Sequence, residues 1–192
     1  MSFRYKSELT ESALGMSAYF EKIRSLVGPE LILCPGVTAV VVREDDGERQ
    51  VLLVQRSDNG EWTPICGALE PDEDPDVGVA REVLEETCVS VVVERVVWVQ
   101  TLPQATYPNG DRVQYFDTAF LCRPVGGEAA VGDDESRTVG WFREDALPPL
   151  SERFRDTIEL ALDPAAPLRF GASKRVLANV VGSHGERGRV DV

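Results

Sequence analysis

The sequence predicts an α/β domain of the α+β type, in which strands outnumber helices. Several short runs rich in β-branched residues are separated by turn signals, a pattern typical of strands. Two segments, residues 75–87 and 151–162, carry the apolar spacing of amphipathic helices. The length of 192 residues, 43% of them hydrophobic, suits one domain with an appendage and an adequate core.

Charge and composition narrow the classes of function. The chain carries 33 acidic and 20 basic residues, a net charge of −13, which argues against a general binder of nucleic acid or of anionic membranes. Its four cysteines form no CxxC pair, and one histidine leaves no zinc cluster. The sequence shows no apolar leader and no run of about 18 apolar residues. We therefore expect a cytoplasmic protein with reduced thiols.

The first predicted element is a helix over residues 10–27, which ends at Gly28 and Pro29. It belongs to an N-terminal helical extension, residues 1–29. This helix could cap the domain, or it could mediate contacts in a homodimer.

A β-hairpin is predicted next. Residues 37–43 form an apolar, β-branched run, and residues 50–55 return as its partner across a turn at residues 44–47. A shorter strand at residues 31–34 precedes the hairpin and is separated from it by a Pro-Gly pair.

An acidic stretch, residues 67–89, stands out from the rest of the chain. It contains eight acidic residues and a single basic one. Glu82, Glu85 and Glu86 share one face of the predicted helix, where their like charges repel. A divalent metal ion would remove this repulsion, so the stretch is a candidate metal site.

The helix of this stretch is predicted to begin after Asp74, as its N-cap, with Pro75 in the first turn. The opposite face carries an apolar row that we expect to pack on the sheet. The members of that row are Val77, Ala80, Leu84 and Cys88.

The second half of the domain is predicted to contain further strands and a final helix. The strands are residues 90–102, as one long or two short strands, 113–122 and 138–142. Ser151 is the predicted N-cap of the helix over residues 151–162, with Phe154 and Ile158 turned inwards. Residues 164–192 form a C-terminal tail, either mobile or an arm that binds a partner.

The spacing of the acidic stretch resembles the Nudix box. That box has a Gly, five residues, a Glu, seven residues, Arg-Glu, an aliphatic residue, any residue, Glu-Glu, any residue, a Gly and an aliphatic residue. The chain matches from Gly67 through Glu73 and Arg81 to Val89, with Cys88 in place of the last Gly. The resemblance, to bacterial MutT-like Nudix hydrolases, implies an α/β/α sandwich over residues 30–163, with a mixed β-sheet between helices.

The resemblance also implies roles for the residues of the box. Glu82 and Glu86 are expected as the principal ligands of Mg²⁺ or Mn²⁺, with Glu85 as a further ligand or as the base that orients water. The backbone carbonyl of Cys66 can also bind the metal. Two further residues, Glu73 and Arg81, correspond to a structural salt bridge, with a phosphate contact as the alternative role of Arg81.

Some family members recruit a base from a later loop, and Glu135 stands where such a residue occurs. Asp134 and Glu128 compete with it for that role, and an ordinary solvated loop is the alternative for all three. Arg56, at the end of a hairpin strand, could meet a phosphate.

The substrate is expected to be a small nucleotide. Trp62 and Tyr107 could stack on a base, as could Tyr115 and Phe116, although aromatic residues on strands usually belong to a core. Pro103 and Tyr107 lie near positions that, in the family, mark hydrolases of ADP-ribose and of dinucleoside polyphosphates, and they do not decide between them.

The resemblance implies a metal-dependent hydrolase of the diphosphate bond in nucleoside diphosphates linked to another moiety, with ADP-ribose or nucleotide sugars favoured. Hydrolysis of nucleoside triphosphates or dinucleoside polyphosphates is the alternative. A non-catalytic regulatory domain that binds nucleotides is a further one, but such domains often lose box glutamates that this chain keeps.

Overall fold

The computed structural model describes residues 18–107 and 109–171. The described part consists of a mixed β-sheet with helices against its two faces, which confirms the predicted fold class. Its helices are α1 (Ala18–Val27), α2 (Pro75–Thr87) and α3 (Glu152–Leu162). The strands are β1 (Ile32–Asp45), β2 (Glu48–Arg56), β3 (Trp62–Thr63), β4 (Ile65–Ala68), β5 (Ser90–Thr101), β6 (Ala105–Thr106), β7 (Arg112–Gly126), β8 (Ser136–Arg143) and β9 (Arg169–Phe170).

The sheet is built around β1, a strand of 14 residues. Its main order is β3-β2-β1-β7-β5-β9, while β4 pairs with β1, β6 with β7 and β8 with β2. The pairs β1–β7 and β5–β9 are parallel and the others are antiparallel. The sequence predicted two strands before the hairpin turn, but β1 runs through Pro35 and Gly36 without a break. The hairpin turn itself is confirmed, since Asp46 and Gly47 adopt positive φ angles of 50° and 78°.

Alternate residues of the strands feed two cores on opposite faces of the sheet. Val37, Ala39 and Val41 of β1 belong to the core beneath α2, whereas Val40 belongs to the core beneath α3. This division places each side chain of the site on one of two layers.

The orientation predicted for α2 is wrong. Val77 and Leu84, assigned to the packing face, are 57% and 50% exposed. The helix instead buries Val79 and Val83 together with the glutamate Glu86. A hydrophobic pattern assigns acids to the outside, but here the acidic face and the packing face overlap, because Glu82 and Glu86 are turned towards the sheet.

The helix α2 begins and ends at the residues that the sequence predicts, but the contacts at its N-cap differ from the prediction. Asp74 occupies the N-cap and Pro75 the first turn, but the Asp74 side chain makes no capping hydrogen bond. At the other end Cys88 adopts the left-handed conformation that glycine favours, with φ of 58°.

The last helix forms as predicted. Ser151 is its N-cap, and its side chain accepts a hydrogen bond from the backbone N–H of Phe154. The side chains of Phe154 and Ile158 are buried. None of the described helices is long and apolar enough to span a membrane.

The sheet continues past residue 163, into the segment assigned to the tail. Strand β9 pairs with Trp98 and Val99 of β5, and the Trp98 indole N–H donates to the Gly171 carbonyl oxygen at 2.6 Å. Predictions for residues 1–17 and 172–192, including the first part of the N-terminal helix, lie outside the described residues.

The described part of the N-terminal helix, α1, buries no residue of its own. It is attached through Arg24, whose guanidinium donates to the carbonyl oxygens of Gly28, Glu30 and Arg112 at 2.7 to 3.0 Å. Arg24 also forms an ion pair with Asp111.

Candidate active site

The candidate site begins where β4 passes beneath α2. Gly67 pairs with Val37 of β1, and Glu82 lies directly over it. A Cβ atom at Gly67 would stand 1.9 Å from Cδ of Glu82, closer than any real contact. Only glycine therefore allows this carboxylate to approach the strand.

Arg81 connects the loop before α2 to the glutamates. Its guanidinium makes two hydrogen bonds to the Glu73 carboxylate, at 2.8 and 3.0 Å, and a third to the Ala68 carbonyl oxygen at 3.0 Å. The same group donates to Glu82 and to Glu85, at 3.0 and 2.9 Å. Hydrogen bonding to Arg81 lowers the pKa of Glu73. A guanidinium that makes two parallel hydrogen bonds to one carboxylate fixes the orientation of that carboxylate and also pairs with its charge.

Glu86 is the most deeply placed of the three box glutamates, with 5% of its surface exposed. The Ser136 hydroxyl, from the first residue of β8, donates to its Oε2 atom at 3.4 Å. Glu85, on the outer side of the helix, has 55% of its side chain exposed. The three glutamates therefore occupy three different environments.

Acidic groups surround Glu86. Burial, and then the charges of Glu135, Glu82 and Asp133, raise its pKa to about 8. The pKa of Glu82 is also raised, chiefly by burial, although Arg81 opposes the shift. Such a group of repelling carboxylates is stabilised by a cation.

The predicted loop residue Glu135 is brought to this group. Its backbone carbonyl accepts a hydrogen bond from the Ser57 N–H at 2.8 Å, which fixes the loop to the end of β2. Partial loss of solvent and the charge of Asp133 raise the pKa of Glu135 to about 7. Its competitor Glu128 instead lines a separate groove with Val89 and Trp141.

Of the predicted substrate residues, Arg56 lies near Glu135. It forms two hydrogen bonds to Asp58, at 2.9 and 2.7 Å, and the Glu135 charge is among the influences that raise its pKa. To bind a phosphate, Arg56 would either add it to the hydrogen bonds with Asp58 or exchange those bonds for bonds to the phosphate oxygens.

Two of the predicted aromatic residues, Trp62 and Tyr115, lie on the α3 side of the sheet. Trp62 packs against the core beneath α3, with its ring 4.8 Å from that of Phe142. The hydroxyl groups of Tyr107 and Tyr115 lie 3.3 Å apart. Tyr115 is two residues from Asp117, which contacts Arg153 of α3, so Tyr115 also belongs to the α3 side.

The residues fit a divalent metal by their chemistry. Carboxylate oxygens suit Mg²⁺ or Mn²⁺, and Mg²⁺ is usually held by one or two carboxylates together with phosphates and water. Within residues 18–107 and 109–171, no three acidic, thiol or imidazole groups form a ready-made metal cluster. Glu82 and Glu85 are turned to Arg81, and Glu86 is held in the repelling group described above.

The NUDIX domain profile matches residues 33–161. The chain belongs to the Nudix family. This membership confirms the predicted class of enzyme, a Nudix pyrophosphohydrolase, and the MutT-like resemblance.

Two known proteins are similar in sequence to this Nudix chain. A MutT-like protein of Streptomyces ambofaciens is 38% identical over 135 residues, which cover 68% of this chain and 78% of that protein. The NAD-capped RNA hydrolase NudC of Klebsiella pneumoniae subsp. pneumoniae is 37% identical over 113 residues, or 58% of this chain. The chain spans only 40% of the NudC length.

Among solved structures, the Nudix domain is similar to an ADP-ribose pyrophosphatase from Streptococcus suis. The TM-score is 0.54 with 29% sequence identity, and the match covers 71% of this chain and 98% of that one.

Asp133 and Ser136 near the Nudix glutamates were missed by the sequence reasoning. Asp133 stands two residues before Glu135 in an acidic loop, so an acidic neighbour of that position was a usable signal. Ser136 gave no signal, since a lone serine before a strand is common.

Proposed function

We propose that the chain is a Mg²⁺- or Mn²⁺-dependent hydrolase of the diphosphate bond in a nucleoside diphosphate linked to a second group. ADP-ribose or a nucleotide sugar is the favoured substrate. The observation that carries the proposal is the packing of Glu82 over Gly67 beside the buried Glu86, within a Nudix box. The similarity to the Streptococcus suis ADP-ribose pyrophosphatase supports the substrate class.

The proposed roles follow the environments of the glutamates. Glu82 and Glu86 are the principal ligands, and the Cys66 carbonyl is a further one. Glu85 and Glu135 stand at the more exposed side, where a base can reach water. A divalent ion held by these residues would neutralise phosphate oxygens and lower the pKa of the attacking water.

Arg81 and Glu73 brace the loop from Ala68 to the helix, and Arg56 is proposed to orient a phosphate. Trp62 and Tyr107 stay candidates for base contact only if the nucleoside extends to the α3 side of the sheet. The substrate is proposed to be a small nucleotide, and the protein is proposed to form a homodimer.

A substrate panel tests the function. The purified protein is incubated with Mg²⁺ and ADP-ribose, UDP-sugars, dinucleoside polyphosphates, nucleoside triphosphates and NAD-capped RNA, and the products are identified. We expect hydrolysis at the diphosphate of ADP-ribose or of nucleotide sugars. Absence of turnover on every compound would favour a regulatory nucleotide-binding domain, and preference for capped RNA would overturn the expected exclusion of nucleic acid.

Glu86→Gln tests the site. The substitution keeps the size of the side chain but removes the charge that holds a metal ion, so metal-dependent turnover should be lost while the fold is kept. The matched control is Glu94→Gln. Glu94 lies on β5 and forms an ion pair with Arg123 on β7. Full activity of the Glu86→Gln protein with Mg²⁺ would contradict the assignment.

A further inference from the structure

The Ser136 hydroxyl contacts the buried carboxylate of Glu86. Both residues are 5% exposed, and the hydroxyl Oγ donates to the carboxylate Oε2 at 3.4 Å. The two belong to different layers, since Glu86 lies on α2 and Ser136 begins β8 in the sheet. The contact therefore joins a helix side chain to the sheet across the site.

An irregularity in the sheet turns Ser136 towards α2. Val139 and Trp141 of β8 pack on the α2 side, so strict alternation would put residue 137 on that side and residue 136 on the other. The register shifts at this point: Gln55 pairs with Thr138, but Arg56 pairs with Ser136. The extra residue, Arg137, forms a β-bulge, and such bulges re-aim side chains next to active sites.

The segment around the bulge is fixed on both sides of Ser136. The Glu135 carbonyl accepts a hydrogen bond from the Ser57 N–H at 2.8 Å, and the Arg137 guanidinium donates to the Ser57 carbonyl oxygen. The Ser136 hydroxyl is therefore presented from a held backbone, and does not lie on a freely moving loop.

We propose that Ser136 is a positioning residue for Glu86. Its hydroxyl holds one carboxylate oxygen, Oε2, and leaves the other available for the divalent ion. This inference rests on the proposed function, in which Glu86 binds the metal. Groups that orient a metal ligand typically contribute 10- to 100-fold to metal affinity or activity.

The test compares two side chains of the same shape at position 136. Ser136→Thr keeps the hydroxyl and Ser136→Val replaces it with a methyl group, while Ser136→Ala removes it without adding bulk. Calorimetric titration with Mn²⁺, on each protein without substrate, gives the dissociation constant. We expect the Val and Ala proteins to bind Mn²⁺ about 10-fold more weakly, and the Thr protein to bind within about 3-fold of the original.

Thr157→Val is the matched control. Thr157 is also a buried hydroxyl, but it donates to the Arg153 carbonyl oxygen within α3, on the opposite face of the sheet. Its loss should leave the affinity for Mn²⁺ unchanged. Thermal unfolding without metal, measured on every variant, separates a loss of stability from a loss of affinity.

Two results would overturn the role of Ser136. One is equal Mn²⁺ affinity in the Thr and Val proteins, which would show that the hydroxyl is not used. The other is an unchanged affinity in the Ala protein. A Glu86→Gln protein that still binds Mn²⁺ normally would instead remove the metal-ligand assignment itself, so the two failures are distinguishable.

Discussion

Gly67→Ala should remove activity while keeping the fold. The added Cβ would stand 1.9 Å from Cδ of Glu82 and 2.2 Å from its Oε1 atom. To reach ordinary contact, the carboxyl group must move by roughly 1.5 Å, since carbon atoms pack at about 3.5 Å. Glu82 is a flexible side chain, so it moves more easily than the backbone, and the cost falls on the site.

The expected size of the effect follows from that displacement. A misplacement of about 1 Å in a catalytic site can cost about 100-fold in rate, so we expect a loss of at least that size in kcat/KM. Stability should change by about 1 kcal/mol or less, which corresponds to roughly 2–4 °C in Tm for a chain of this length.

The assay is Mg²⁺-dependent hydrolysis of the best substrate from the panel, with Tm measured on the same preparations. Gly126→Ala is the matched control, because no atom lies within 4 Å of the Cβ that would be added there. The reasoning is refuted if Gly67→Ala keeps more than half of the original kcat/KM, or if both variants lose activity equally.

Two further predictions concern stability. Cys88→Gly should stabilise the protein by about 1 kcal/mol, because a non-glycine residue is strained in the left-handed conformation. Urea unfolding measures the free energy of unfolding of both proteins. An unchanged or lower value in the Gly protein would contradict the prediction. In metal-free protein, the free energy of unfolding should fall between pH 5 and pH 8, because Glu86, with its pKa raised to about 8, keeps a proton in the folded state that the unfolded state releases. Its stabilising contribution is complete below pH 4.5 and is lost as the pH rises through about 8, so Glu86→Gln should flatten the profile in EDTA; an equal slope in both proteins would oppose this assignment.

Local patterns in the sequence were sufficient to predict most of the fold. The Asp46-Gly47 turn and the Ser151 cap depend on neighbouring residues alone, and both form as expected. The face of α2 could not be obtained in this way. A helical wheel assigns residues to the core by their hydrophobicity. Here the acidic residue Glu86 is buried, whereas the apolar residue Leu84 is half exposed.

The same distinction explains the candidate site. The spacing of Glu82 and Glu86 predicts that they share a helix face, and the structure adds that this face meets Gly67. Ser136 could not be predicted, because its direction depends on a register shift between two strands that are far apart in sequence. The side of the sheet on which Trp62 lies is also a tertiary property.

The bulge at Arg137 makes the pairing of this segment as important as its composition. If Arg137 were paired regularly and not as a bulge, alternation would turn Ser136 away from Glu86, although no residue of the Nudix box would have changed. Deletion of Arg137 would instead leave Ser136 directly before Thr138 and still facing Glu86. Among related chains, a gap of one residue at this point is therefore compatible with the same support for the buried glutamate, whereas regular pairing in a chain of equal length is not. Alignments that score only the box would not separate these cases, whereas the strand register beside the Glu135 loop would.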